Sequence, residues 1–339
     1  MNRNRKNLEE MGTSGTTLQG CLDYILRHRP RIVIFENVKN IALLDSATGI
    51  RPVDLVMEAL KRLGYNAGWK FLNTRNYYLP QSRARVWMWG YRTGDAPNPK
   101  YRPVVSELAA ELVHLDTAQQ LAADAAGAAL NDKVSRTLDH LQRDAVLHFD
   151  DLILPDDDPH VRQDIEKRTG RDTNKVSISE KAKLTWDVKH KMHRDSLRNR
   201  YSKPYTSYRG APWLRTLNER EKQLCDINFQ EVYEARGIDA RQVPMVWELS
   251  QSAGRVPGTK TAETQMHCTP CVVPGSLWHT TRRRFLLGRE KLRFQGIFEE
   301  DLKDLDCVPE SVLGDLAGNA FSATVCAANL LAALVFAEP

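Results

Sequence analysis

Long apolar runs are missing from this chain, and so is any dense cysteine framework. No stretch approaches the ~20 consecutive apolar residues that a membrane-spanning helix needs, which argues against an integral membrane protein. The start, MNRNRKNLEEMG, carries charge without a following apolar segment, so it does not read as a secretory leader. Six cysteines (Cys21, Cys225, Cys268, Cys271, Cys307 and Cys326) are scattered over 339 residues, the usage expected in a reducing compartment rather than in a secreted protein. No internal repeat is present. A hydrophobic content of 42% excludes wholesale disorder, and the length suits about two domains.

Net charge is small, +5, but the balance conceals a polarised sequence. Residues 101–160 hold 12 acidic and 4 basic side chains, a local −8, whereas residues 161–210 hold 14 basic and 6 acidic, a local +8. A basic block of this kind suggests an anionic partner. Trp186, Tyr201, Tyr205, Tyr208 and Trp213 are interleaved with it, and cations beside flat rings suit phosphates beside bases. A surface segment whose aromatic residues pack inward explains the same pattern equally well.

Hydrophobic patterning gives an α/β rhythm. Leu18, Leu22, Ile25 and Leu26 form one helical stripe that Pro30 stops. IVIFE, from Ile32 to Glu36, reads as a parallel strand covered on both faces. Residues 52–63 predict a helix with proline in its first turn and Gly64 at its end; strands are expected at 65–72 and 84–90. Residues 104–146 are rich in Ala and Leu and predict helix, LPDDDP at 154–159 reads as a boundary, and 160–265 suits an inserted recognition region more than a second tight core. REKLRFQG reads as helix, and the tail 318–336 reads as one long helix.

Three short constellations could carry chemistry. Glu36-Asn37-Val38 ends the IVIF strand, where ligands of open α/β sheets sit; a solvated acid or loop cap is the plainer alternative. Gln81-Ser82-Arg83-Ala84-Arg85 leads into VWMWG, and alternation would put both guanidiniums on one face, able to fork around a phosphate or a base carbonyl, or simply to lie on the surface. Gly318-Asn319-Ala320-Phe321-Ser322 would open the last helix, either as an anion site or as an ordinary cap.

Taken together, these segments resemble the carboxy-terminal part of a DNA (cytosine-5)-methyltransferase. IVIFENVKN is similar to that family's Glu-Asn-Val motif, and PQSRARVWMWGYR to its Gln-x-Arg-x-Arg motif, here Gln81, Arg83 and Arg85. RRRFLLGREKLRFQGIF (282–298) resembles the helix that supports the recognition region, with Arg289, Glu290, Gln295 and Gly296 in the fitting positions. AGNAFSATV is similar to the last motif, which returns to the cofactor site. The resemblance covers about residues 1–100 and 265–339.

What the resemblance implies is specific. The fold class would be α/β, an incomplete Rossmann-like S-adenosylmethionine-dependent methyltransferase sheet with an inserted target-recognition region. Residues 1–100 would be part of the catalytic domain, 101–265 a variable linker and recognition region, and 266–339 the support helix and the returning last motif. In the family a cysteine thiolate adds to carbon 6 of a cytosine flipped out of duplex DNA, and carbon 5 then takes the methyl group. Glu36 would hold the amino group and ring nitrogen 3, helped by a raised pKa in a dehydrated pocket, while Arg83 and Arg85 grip the ring carbonyl and nearby phosphates. Asn37, Val38 and Gln81 would line the substrate, and Asn319 and Ala320 the cofactor. Lys181, Lys183, Lys189, Lys191, Arg194, Arg198 and Arg200 would contact DNA.

The nucleophile is where the sequence departs from the family. Its glycine-rich cofactor loop and Pro-Cys pair should precede the Glu-Asn-Val strand, and only 35 residues precede Glu36, none of them a Pro-Cys pair. Pro270-Cys271, in MHCTPCVVPG, is the single such pair and has no strand leading into it; Cys21 lies mid-helix. Cys268, Cys271 and His267 are too few for a paired zinc motif, so no metal is expected. The expectation is a fragment, inactive alone, of an enzyme of the nucleus if eukaryotic and otherwise of the cytoplasm or nucleoid. A non-catalytic nucleic-acid-binding homologue and a transfer-RNA methyltransferase are the alternatives. Duplex DNA is the expected partner, with no membrane role, and oligomeric state is open.

Overall fold

A computed structural model describes residues 17–46, 49–93, 104, 107, 125–144, 147–170, 188–192, 204–207, 210–250, 253, 268–302 and 304–336. The chain divides into two compact units, one of residues 1–73, 84–142 and 325–339, the other of 74–83 and 143–324.

The first unit is a three-stranded sheet between helices. Helix α1 (Thr17–His28) leads into β1 (Ile32–Val38), then α2 (Pro52–Arg62), β2 (Tyr65–Asn73) and β3 (Ala84–Arg92). Proline at the start of α2, basic Lys61 and Arg62 in its last turn and left-handed Gly64 just beyond are the signals that the sequence displayed. Strand order is β1-β3-β2, and both pairings are antiparallel. The expectation of a parallel β1 buried on both faces is therefore corrected. Val33 is its single fully buried residue, whereas β3 buries six in succession, Val86 to Tyr91. A short apolar run does not reveal which strand is central, and here centrality belongs to β3.

Alternation along β3 sorts its two faces. Val86 and Met88 join Leu22 and Ile25 of α1 and Val53, Val56 and Leu60 of α2 in one core. On the opposite face, Trp89 Nε1 donates to Asn131 Oδ1 of α3 (Ala125–His140) at 3.0 Å. Tyr91 Oη on the same face donates to the Ala332 carbonyl of α8 (Ala323–Val335) at 3.4 Å. Helices on both faces of one sheet make this unit α/β.

The second unit contains α4 (Pro159–Thr169), α5 (Glu219–Arg236), a small antiparallel sheet of β4 (Val246–Glu248), β5 (Leu277–His279) and β6 (Arg284–Phe285), then α6 (Gly288–Arg293) and α7 (Glu310–Asn319). Contrary to expectation, the polar stretch does build a tight core. Tyr205, Leu224, Ile227, Phe229, Trp247, Trp278 and Phe285 pack together around α5. Tyr205 Oη donates to the Thr280 carbonyl at 2.5 Å and accepts from Trp278 Nε1 at 3.0 Å, so both polar tips are satisfied inside. α5 opens on an Asn218–Glu221 capping box and stops at left-handed Gly237. LPDDDP lies within this unit, where buried Leu154 donates its N–H to Glu290 and Asp158 caps α4, while Pro155, Asp156, Asp157 and Pro159 are exposed.

A second core in this unit holds Phe149, Val246, Leu277, Leu292, Phe294 and Leu313. α6 and α7 touch at Gly288, where a Cβ would lie 2.2 Å from the Glu310 carbonyl oxygen, so no larger residue fits. The single long helix expected over 318–336 is instead two, since α7 ends at Asn319 and α8 begins at Ala323. Residues 310–335 are long and apolar enough in composition to be a weak membrane-span candidate, but they include this break.

Buried His279 makes the second unit acid-sensitive. Its Nδ1 accepts the Arg282 N–H at 3.3 Å, and burial with Arg284 and Arg282 nearby pushes its pKa down to about 3. A folded pKa below the unfolded value means stability that is full above pH ~6.5 and is lost as pH falls toward ~3. The loss should be on the order of 3–5 kcal/mol. Urea melts between pH 7 and 4 should show it, and His279→Asn, which keeps an acceptor but cannot take a proton in this range, should flatten the acid limb. An unchanged acid limb in the variant would assign the sensitivity elsewhere.

Candidate base-holding site

In the first unit, the β1–β3 ladder builds the site. Glu36 faces Trp87 across the ladder and Val38 faces Arg85, so Glu36 and Arg85 are diagonal neighbours on one face. The two meet as an ion pair, Arg85 Nε to Glu36 Oε1 at 2.9 Å, with side chains only 16% and 13% exposed. Arg85 Nη1 also donates to its neighbour's carbonyl, that of Ala84, at 3.0 Å. Asn37 turns inward on its own backbone, its Oδ1 accepting the Val38 N–H at 2.8 Å, which fixes the strand end. A carboxylate and a guanidinium held side by side at a strand terminus offer acceptor and donor edges in one plane, the complement of a heterocyclic amide edge.

Gln81 and Arg83 play a different part from the one that the resemblance implies. Strand β3 begins only at Ala84, so Arg83 precedes it and belongs to the second unit. Arg83 is buried; Nη1 donates to the Val272 carbonyl at 3.0 Å and to Cys271 Sγ at 3.5 Å, and Nη2 to the Ala320 carbonyl at 2.9 Å. Gln81 has no exposed surface; its Nε2 donates to the Phe294 carbonyl at 2.5 Å and to Gln295 Oε1 at 3.2 Å, while its Oε1 accepts the Val272 N–H at 3.3 Å. Gln295 in turn donates to the Ala317 carbonyl at 2.6 Å, and its own carbonyl accepts the Ala323 N–H at 2.8 Å. One buried polar hub thus ties residues 81–83, 271–272, 294–295 and 317–323 together. Buried hydrogen-bonded hubs of this kind hold the chain path. The sequence marked most of its members but not their contact with each other.

The remaining expected positions are placed as follows. Asn319 and Ala320 stand at the carboxyl end of α7 and not at a helix N-terminus; Asn319 Nδ2 donates to the Asp315 carbonyl at 2.9 Å. Lys189 and Lys191 are exposed on a helical turn at 188–192, and Lys181, Lys183, Arg194, Arg198 and Arg200 lie outside the described residues. Arg289 pairs with Glu310 at 2.6 Å, and Glu290 with Arg284 at 2.8 Å. Cys268 is buried, and burial pushes its thiol up to about 12, far from nucleophilic. Among the described residues, no group of three or more His, Cys, Asp or Glu is placed to hold a metal.

A family model described as C-5 cytosine-specific DNA methylase matches residues 4–326. The chain belongs to that family. Its α/β fold is accordingly that of the S-adenosylmethionine-dependent methyltransferases, and membership implies that molecule as methyl donor. The DNA (cytosine-5-)-methyltransferase DMT5 of Cryptococcus neoformans var. grubii is 28% identical over 348 residues, which is 98% of this chain but 13% of the relative. The type II methyltransferase M.NgoBI of Neisseria gonorrhoeae is 33% identical over 97 residues, 27% of this chain and 30% of the relative. The chain therefore spans a small part of the relatives it matches. The crystal structure of S. pombe Dnmt2 methyltransferase aligns over 96% of this chain and 75% of that one, at 13% identity and a TM-score of 0.38.

Proposed function

We propose that this chain is the base-holding and DNA-recognition part of a DNA methyltransferase that acts on carbon 5 of a cytosine flipped out of duplex DNA. The Glu36–Arg85 pair on the β1–β3 ladder carries the reading. Glu36 accepts the cytosine amino group and shares a proton with ring nitrogen 3, which drains charge from the ring as a thiolate adds to carbon 6. Arg85 fixes the plane of the carboxylate and directs its own donors to the ring carbonyl. Arg83 and Gln81 act behind it, holding the segment that enters β3. Asn37 and Val38 shape the strand end against the base.

Asn319 and Ala320 are kept as the candidate contacts for S-adenosylmethionine: the Asn319 amide nitrogen bonds the Asp315 carbonyl and the Ala320 carbonyl accepts from Arg83, while Asn319 is exposed and its amide oxygen can accept from a ribose hydroxyl. Cys271 is not given the nucleophile's role, because no apolar run leads into MHCTPC in the sequence.

Incubating the 339-residue chain with labelled S-adenosylmethionine and either cytosine-containing duplex DNA or transfer RNA tests this. The expected result is duplex binding without methyl incorporation by these 339 residues alone. Turnover by the 339 residues alone, abolished by Cys271→Ala, would overturn the assignment of the nucleophile. Incorporation into transfer RNA and not DNA would overturn the substrate.

A further inference from the structure

Among the described residues, four non-glycine residues have positive φ, Arg29, Tyr78, Arg283 and Asp304; of these only Tyr78 is aromatic, and its φ is 69°. A bulky side chain in the left-handed region is an energetic outlier that glycine would relieve. Tyr78 nevertheless leaves 42% of its surface exposed. Its neighbours behave oppositely: Tyr77 and Leu79 are buried, as are Pro80 and Gln81. The backbone is pinned on both sides. Tyr78 donates its N–H to the Arg143 carbonyl at 3.3 Å, Arg143 donates to the Asn76 carbonyl at 2.8 Å, and Thr269 donates to the Pro80 carbonyl at 2.8 Å. A single ring is thus pushed outward from an otherwise anchored loop. Arg143, paired with Tyr77 in a short parallel bridge, is exposed beside it, and Arg75 lies three residues upstream, partly exposed.

We propose that Tyr78 is a stacking platform for an unpaired DNA base, with Arg75 and Arg143 contacting the adjoining phosphates. Strain maintained at an exposed aromatic residue marks a functional position, and a rigid ring between cations matches the chemistry of a base flanked by its backbone. The exposed part of the ring is available to stack on a base. The proposal rests on the DNA reading above. It adds a contact that lies outside both the Glu36–Arg85 pair and the basic block.

The test compares wild-type, Tyr78→Gly and Tyr78→Phe forms of the 339-residue chain on duplexes carrying one unpaired 2-aminopurine. Tyr78→Gly should bind roughly ten-fold more weakly, the effect of losing one base–aromatic stack, and should leave the probe's fluorescence unquenched. It should melt no lower than wild type, because glycine is at ease at this φ. Tyr78→Phe should bind and quench as wild type does. Tight binding by wild type together with unchanged affinity and quenching in Tyr78→Gly would overturn the stacking role alone. Failure of wild type to bind any of these duplexes would remove the DNA reading, and this contact with it.

Discussion

On the proposed function, replacing Glu36 by glutamine should lower methyl transfer to duplex DNA by about 10²–10³-fold, the usual cost of removing one preorganised charge-stabilising group. The substitution conserves shape and leaves an oxygen for Arg85 Nε, so the β1–β3 ladder persists. What disappears is the capacity to share a proton with ring nitrogen 3 while accepting the amino group. Loss should therefore appear in kcat, with duplex affinity kept, because the interaction strengthens only as the ring takes up charge. Single-turnover rates at saturating DNA are the direct measurement. A variant that retains most of the wild-type rate would mean that Glu36 does not hold the reacting base.

The second large effect concerns folding. Glu290 is fully buried and receives four donors: Leu154 N and Arg284 Nη2 on Oε1, and Arg284 Nη1 and Leu287 N on Oε2, at 2.8–2.9 Å. Glutamine would turn one acceptor into a donor facing other donors and remove most of the compensation for the buried Arg284 cation. Asp156, more than half exposed, is a weaker substitute at 3.1 Å. Breaking a buried pair from one side costs about 3–5 kcal/mol. At ~2–4 °C per kcal/mol for a unit of this size, Glu290→Gln should melt on the order of 10 °C lower. Changing Arg284 to methionine in the same chain should recover part of that loss, since no buried cation is then left stranded. A Glu290→Gln melting point equal to wild type would show that the pair contributes nothing to stability.

Local signals carried much of the first unit. Pro52 and Gly64 bracket α2, and the strands around Glu36 and Arg85 are contiguous enough for their ends to be read directly. The face shared by Glu36 and Arg85 was harder, because it depends on β1 and β3 being antiparallel neighbours, a register that no single strand displays. The break between α7 and α8 did have a signal, Gly318-Asn319 as a helix stop followed by Ser322, which the apolar tail obscured. In the second unit the difficulty was distance along the chain. Tyr205, Trp247 and Trp278 pack together across some seventy residues, so a polar stretch with scattered rings looked like surface until its partners were in place. Gln81 and Arg83 illustrate the opposite ambiguity, for polar residues in a motif serve equally well as ligands or as internal struts.

One connection has a consequence for recombination. Residues 74–83, the link between β2 and β3, cluster with 143–324 although the strands at either end of them belong to the other unit. A graft of the second unit that took 143–324 alone would leave Gln81 and Arg83 behind and strip Val272, Gln295 and Ala320 of their anchors. Moving this unit intact therefore requires two segments inherited together, so the exchangeable cassette is discontinuous in sequence.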